Sequence, residues 1–155
     1  MGMTAQYYRL SQSRLEAILS ESGAFPDIDY KDKTCYLDID KAWHIIHFLL
    51  NADEWEGPYP LSHAVLGGEP IGDDDGEARY LTSSNVQDVS NALDKIDAAD
   101  LLSHWDQQAI EAANIYPVWN NEPEEHEYIT HHYEALRAFF KSAARDGLAM
   151  LVRII

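Results

Sequence analysis

Cysteine is almost missing from this chain. Cys35 stands alone in 155 residues, so no internal disulfide can form. A solitary thiol also builds no thiolate metal site and lacks the paired motif of a cysteine nucleophile. A reducing compartment is therefore expected. Long apolar runs are missing too: none approaches the roughly 18 residues that a membrane-spanning helix requires. The opening MGMTAQYYRL has no apolar signal core, and Ala5 and Gln6 stand where a myristoylation site after Gly2 would place its Ser or Thr. The cytoplasm is the expected location.

Basic residues are scarce, and their scarcity is local. Between Lys41 and Arg79 there is no lysine or arginine, but there are eight acids; between Lys95 and Arg137 there are nine. The whole chain carries −16, so these two intervals hold essentially all of the net charge and the remainder is close to neutral. Such a field repels nucleic acid and anionic membranes and draws in a basic partner.

The familiar chemical motifs are absent as well. LGGEP, at Leu66–Pro70, has neither GxGxxG spacing nor the lysine of a phosphate loop. Its glycines point instead to a tight turn or a close backbone approach. GDDDG, with Asp73, Asp74 and Asp75, resembles a calcium loop but fails its spacing: with Gly76 at the sixth position, Ile71 falls at the first and Thr82 at the twelfth. No G-x-S-x-G surrounds Ser62-His63, so a serine hydrolase is not indicated.

What is present is a globular composition, 46% hydrophobic and 11% aromatic, on a chain of one domain's length, residues 1–155. Residues 4–10, 78–82 and 148–155 read as strands, the last apolar enough for a central position in a sheet. Ser13-x-x-Glu16 and Ser84-x-x-Gln87 read as capping boxes opening helices. Further helices are expected from the stretch at 37–50, from about 98 to 113, and from about 124 to 145 with Gly147 as the stop. No βαβ alternation appears. The expected fold is α+β: a small mixed or antiparallel sheet of about three or more strands, packed with four or five helices.

The densest chemistry lies in LDIDKAWHIIHFLL, residues 37–50. On a wheel of about 100° per residue, Ile39, Trp43, Ile46 and Leu50 form an apolar stripe, while Asp40, His44 and His47 share the adjoining flank. Asp38 suits an N-cap. Asp40 and His44, at i and i+4, suit an ion pair, with His44 pointing outward and His47 at the core border. His44 and His47 are three apart and lack the glutamate of H-E-x-x-H, so no metal is assigned. His132 falls on the apolar stripe of the last helix, either as a hydrogen-bonded core histidine or meeting His47 and tyrosines in a pocket. No catalytic constellation and no cofactor follows from these residues.

Taken together, LDIDKAWHIIHFLL, PLSHAVLGGEPIG, ARYLTSSNVQDVSNALDKID, IYP and the ending LRAFFKSAARDGLAMLV resemble the YfbM-like family, a bacterial family without an established activity, in order and spacing across nearly the whole chain. The resemblance implies one cytoplasmic α+β domain. It emphasises Trp43, His47, Phe48, Leu61, Gly67, Tyr116-Pro117 and Gly147. Family members of this size are similar to the small acidic proteins encoded beside bacterial toxins, which implies an immunity role.

The expected function is a non-enzymatic acidic binding protein with a basic protein partner such as a toxin. Its contact surface would comprise Trp55, Asp73, Asp74, Asp75, Trp119, Glu122, Glu124 and Glu125. The alternative is a small enzyme or ligand binder with a pocket formed by Asp40, Trp43, His44, His47 and His132. Either a monomer or a homodimer is compatible with the sequence.

Overall fold

The computed structural model describes residues 2–21, 26, 29, 31–72 and 78–155. Chain order is β1 (Ala5–Leu10), α1 (Gln12–Ser20), β2 (Tyr36–Asp38), a 3-10 turn (Asp40–Ala42), α2 (Trp43–Asn51), α3 (His63–Leu66), β3 (Glu69–Pro70), β4 (Ala78–Leu81), α4 (Ser83–Asp94), α5 (Ala98–Leu102), α6 (Gln107–Ala112), α7 (Pro123–Arg145) and β5 (Ala149–Ile154). The five strands form one sheet in the order β2-β1-β5-β4-β3, and every neighbouring pair is antiparallel. The fold is α+β, as the sequence led us to expect, with more strands and helices than could be counted there.

Strand register divides the side chains between two faces. Tyr7 and Arg79 both lie opposite Val152, and Arg9 and Leu81 both lie opposite Met150. Because side chains alternate along a strand, these residues share one face. Tyr7, Leu81, Met150 and Val152 belong to the main core, under α2, α4 and α7. The other face carries Leu10, Ala78, Ala149 and Leu151, which pack with Leu15 of α1 in a smaller cluster. The β5 strand lies between β1 and β4 with its first four residues buried, the central position its apolar density suggested.

Helix boundaries follow local hydrogen bonds, and several differ from the sequence expectation. The helix expected over 37–50, with Asp38 as its cap, begins only at Trp43, because Asp38 ends β2 and a 3-10 turn intervenes. Ser11, not Ser13, caps α1 by accepting from the Arg14 backbone N–H. Thr82, not Ser84, caps α4, in a reciprocal box with Asn85. The expected helix over 98–113 is two helices. Asp106 starts a new one, its carboxylate accepting from Ala109 N at 3.2 Å. The α7 helix ends as its sequence suggests. Gly147 has φ +68°, and the amides of Gly147 and Leu148 return to the carbonyls of Ala144 and Ala143. That pattern closes a helix through a left-handed residue that glycine tolerates best.

Candidate functional site

The α2 helix has no solvent flank. All eight residues from Ala42 to Leu49 are buried, with His44 at 3% and His47 at 0% exposure. The outward position expected for His44 is therefore corrected. The chain after the helix wraps the flank and supplies polar partners that a helical wheel cannot show. His44 Nδ1 accepts from Tyr116 N at 2.8 Å, and its Nε2 lies 3.1 Å from the Glu54 carbonyl. His47 Nε2 lies 3.1 Å from the Glu56 carbonyl, and its Nδ1 lies 3.3 Å from Asn51 Nδ2.

A carbonyl only accepts and an amide N–H only donates, so these contacts assign the protons. Each ring is neutral, with its proton on Nε2. Burial pushes the His47 pKa down to about 4, against a smaller upward pull from the Glu56 carbonyl. Burial lowers that of His44 as well. With both ring nitrogens occupied, the pair pins the segment from Ala52 to Gly57 onto α2.

Asp40 belongs to a different neighbourhood. It sits in the 3-10 turn with φ +51°, its backbone N–H donating to the Asp38 carboxylate. Asp40 Oδ2 accepts from Tyr128 Oη at 2.6 Å, and the Tyr128 hydroxyl accepts from Lys41 N. The expected Asp40–His44 ion pair does not form. His132 meets the edge of Tyr128 at 4.6 Å and adjoins His131, and no described contact joins it to His47. The five-residue pocket read from the sequence thus separates into two clusters, Trp43, His44 and His47 in one and Asp40 and His132, joined through Tyr128, in the other.

Trp43 and His44 also belong to an aromatic column. Trp55 lies 4.6 Å from the His44 ring, His44 lies 4.8 Å from Trp43, and Trp43 lies 5.8 Å from Tyr116. The N-terminal segment closes one side, with Trp43 Nε1 donating to the Met3 carbonyl and Met3 N to the Tyr116 hydroxyl. Beside the column opens a cleft of about 530 Å³, bordered by Trp43, Trp55, His63, Gly68, Arg79 and Val152. His47 does not line it.

The β4–β5 register carries Arg79 onto the core face at the open end of the sheet, and its Nη1 donates to the Gly68 carbonyl at 2.8 Å. Gly67 and Gly68 permit this approach. A Cβ on Gly67 would lie 2.9 Å from Arg79 Cβ, and one on Gly68 would lie 2.6 Å from the Tyr80 carbonyl. Among the described residues Arg79 forms no ion pair. Burial lowers the His63 pKa, so its ring is neutral near pH 7. Sequence reasoning set Ser62-His63 aside and passed over Arg79, although an arginine alternating in phase with Leu81 along ARYL already signalled a charge on a core-facing row.

The cleft, the glycine turn and the α2 staples all lie within a span that one family model covers. Residues 1–153 match the model described as Domain of unknown function (DUF1877). The chain belongs to this family. It is 30% identical over 127 residues to Protein YfbM of Escherichia coli (strain K12), across 76% of this chain and 74% of that one. A crystal structure of YfbM from Escherichia coli, described as a protein of unknown function, superposes with a TM-score of 0.73 at 21% identity. The superposition covers 98% of this chain and 99% of that one, and it shows the shared fold.

The expected partner surface is only partly as read. Trp55 is 55% exposed, but Trp119 is buried at 5%, its Nε1 donating to the Tyr116 carbonyl. The Glu125 carboxylate turns inward to accept from Asn120 N and Glu122 N, which closes the start of α7. Glu122 and Glu124 remain exposed. Asp73, Asp74 and Asp75 lie outside the described residues. A second, smaller notch of about 200 Å³ is formed by Ile110, Glu111, Ile115, Pro117, Val118 and Trp119. Val118 on its rim is 72% exposed. Among the described residues no three His, Cys, Asp or Glu side chains converge as a metal would require, and no helix is long and apolar enough to cross a membrane.

Proposed function

We propose that this protein is a non-enzymatic binding protein that docks a basic protein partner on the face formed by α6, the Tyr116–Trp119 segment and the start of α7. The supporting observation is the notch rimmed by Val118, 72% exposed, inside an interval that holds nine acids and no lysine or arginine. An aliphatic or aromatic side chain of the partner would enter the notch, and Glu111, Glu122 and Glu124 would steer its cationic surroundings. Desolvated apolar anchors supply affinity, while surrounding charges act mainly on the association rate. A toxin neutralised by occlusion is one such partner, in keeping with the immunity role that the family resemblance implies.

The test is capture from source-cell extract on immobilised protein, followed by association kinetics against salt. Wild type should retain a basic protein, and Val118→Lys should lose it. Glu111→Lys combined with Glu124→Lys should slow association about tenfold at low salt and much less at high salt. Retention of no basic protein, or equal retention by Val118→Lys, would refute the reading.

A further inference from the structure

The larger cleft offers a second binding chemistry, independent of the acidic notch. Its volume of about 530 Å³ falls within the range of roughly 300–1,000 Å³ usual for small-molecule sites. Trp55 borders it with 55% of its surface exposed, yet the ring is not loose. It stacks on His44, and the Asp53 carboxylate accepts from the backbone N–H groups of Trp55 and Glu56. The neighbouring Glu54 and Glu56 carbonyls are held by His44 and His47. A large aromatic surface is thus kept open and fixed in place, which lowers the entropic cost of stacking a flat ring on it.

The polar end of the cleft is equally constrained. Arg79 is anchored through Nη1 to the Gly68 carbonyl, and among the described residues no carboxylate pairs with it. Arg153 also lines the cleft, but its guanidinium is engaged away from Arg79. Arg153 lies opposite Ala78 and Gln6, on the other face of the sheet, and its Nε donates to Gln6 Oε1. His63, neutral near pH 7, places one ring nitrogen near Ser62 Oγ and offers a hydrogen bond without a charge. One guanidinium in a protein of net charge −16 matches a single negative charge. A carboxylate satisfies its fork geometry, whereas the second charge of a phosphate monoester gains no second cation and meets the surrounding negative field.

We propose that this cleft binds a small molecule with a flat apolar ring body and one carboxylate. The ring lies against Trp55 and the carboxylate engages Arg79.

Four probes sharing one ring system test this on the full chain: 1-naphthoate, 1-naphthylmethanol, 1-naphthylmethylamine and 1-naphthyl phosphate. Isothermal titration gives affinities, and the indole N–H resonance of Trp55 reports the place of binding. Naphthoate should saturate with a Kd of about 1 mM or below and shift that resonance, and each of the other probes should bind several-fold more weakly. Arg79→Gln should weaken naphthoate about tenfold and leave the alcohol unchanged. Arg79→Lys, which keeps the charge but loses the fork, should fall between. Trp55→Ala also removes the ring stacked on His44, so it should lower the melting temperature modestly, leave the chain folded, and weaken acid and alcohol alike. The proposal is overturned if naphthoate fails to saturate, if the phosphate or the amine binds more tightly, or if both Trp55→Ala and a folded Arg79 variant bind naphthoate as wild type does.

Discussion

Replacing His47 by glutamine should make the stability of this protein less sensitive to pH, by an amount that can be worked out in advance. In the folded chain burial depresses the His47 pKa to about 4, whereas an unfolded histidine titrates near 6.5. A depressed histidine pKa means that the unfolded state binds the proton more readily. The stability contributed by the neutral ring is therefore complete above about pH 6.5 and is lost as pH falls toward 4. The full loss would be about 3 kcal/mol, but the isoelectric point near 4.5 makes the lower part of that window prone to precipitation. Between about pH 8 and pH 5.5 the loss from His47 alone is about 1.4 kcal/mol. Glutamine can still donate to the Glu56 carbonyl but cannot titrate. It should be less stable than wild type at pH 8 by about 1–2 kcal/mol, through lost packing and the lost Asn51 contact. By pH 5.5 most of that difference should have disappeared. Other groups, including His44 and Asp53, titrate in both proteins and cancel to first order. Urea unfolding at several pH values measures the difference. A penalty that stays constant from pH 8 to 5.5 would refute the assignment of His47 as a buried neutral ring.

Two paired substitutions test the backbone reasoning. Gly67→Ala, at φ +78° and with its new Cβ 2.9 Å from Arg79 Cβ, should cost about 2–4 kcal/mol by urea unfolding; Gly147→Ala, at φ +68° with nothing within 4 Å, should cost only about 1 kcal/mol. Thr82→Ala should cost about 1 kcal/mol and Ser84→Ala less than about 0.5, since only Thr82 caps α4; equal costs would place the cap wrongly.

The parts of the fold that could be read from the sequence are those whose signal repeats. The strands at 5–10, 78–81 and 149–154 and the long helix each carry several turns or alternations of pattern. The β2 and β3 strands, of three and two residues, are too short to show a period and exist because neighbouring strands offer them partners. The cap errors have a different origin. Ser11 and Ser13, like Thr82, Ser83 and Ser84, offer several registers of the same chemistry, and packing of the helix decides among them. The break near Trp105 was hidden because apolar spacing continues across it while Asp106 starts a new helix.

The site was less legible because its decisive contacts are not helical. A wheel ranks the faces of α2 against one another, but it assumes that one face meets water. Here the chain turns back within ten residues and lays the Glu54 and Glu56 carbonyls across His44 and His47. That return inverts the meaning of the two histidines. A histidine with one nitrogen free is a candidate base, whereas one that donates to a carbonyl and accepts from an amide is a hydrogen-bonded strut. The same struts hold the segment that presents Trp55 to the cleft, so the residues that looked chemical are the ones that keep a binding surface rigid. Arg79 reaches that cleft through strand register and a pair of glycines, from 36 positions farther along the chain than Trp43. Spacing along the sequence could not bring the two together; the antiparallel pairing of β4 with β5 does.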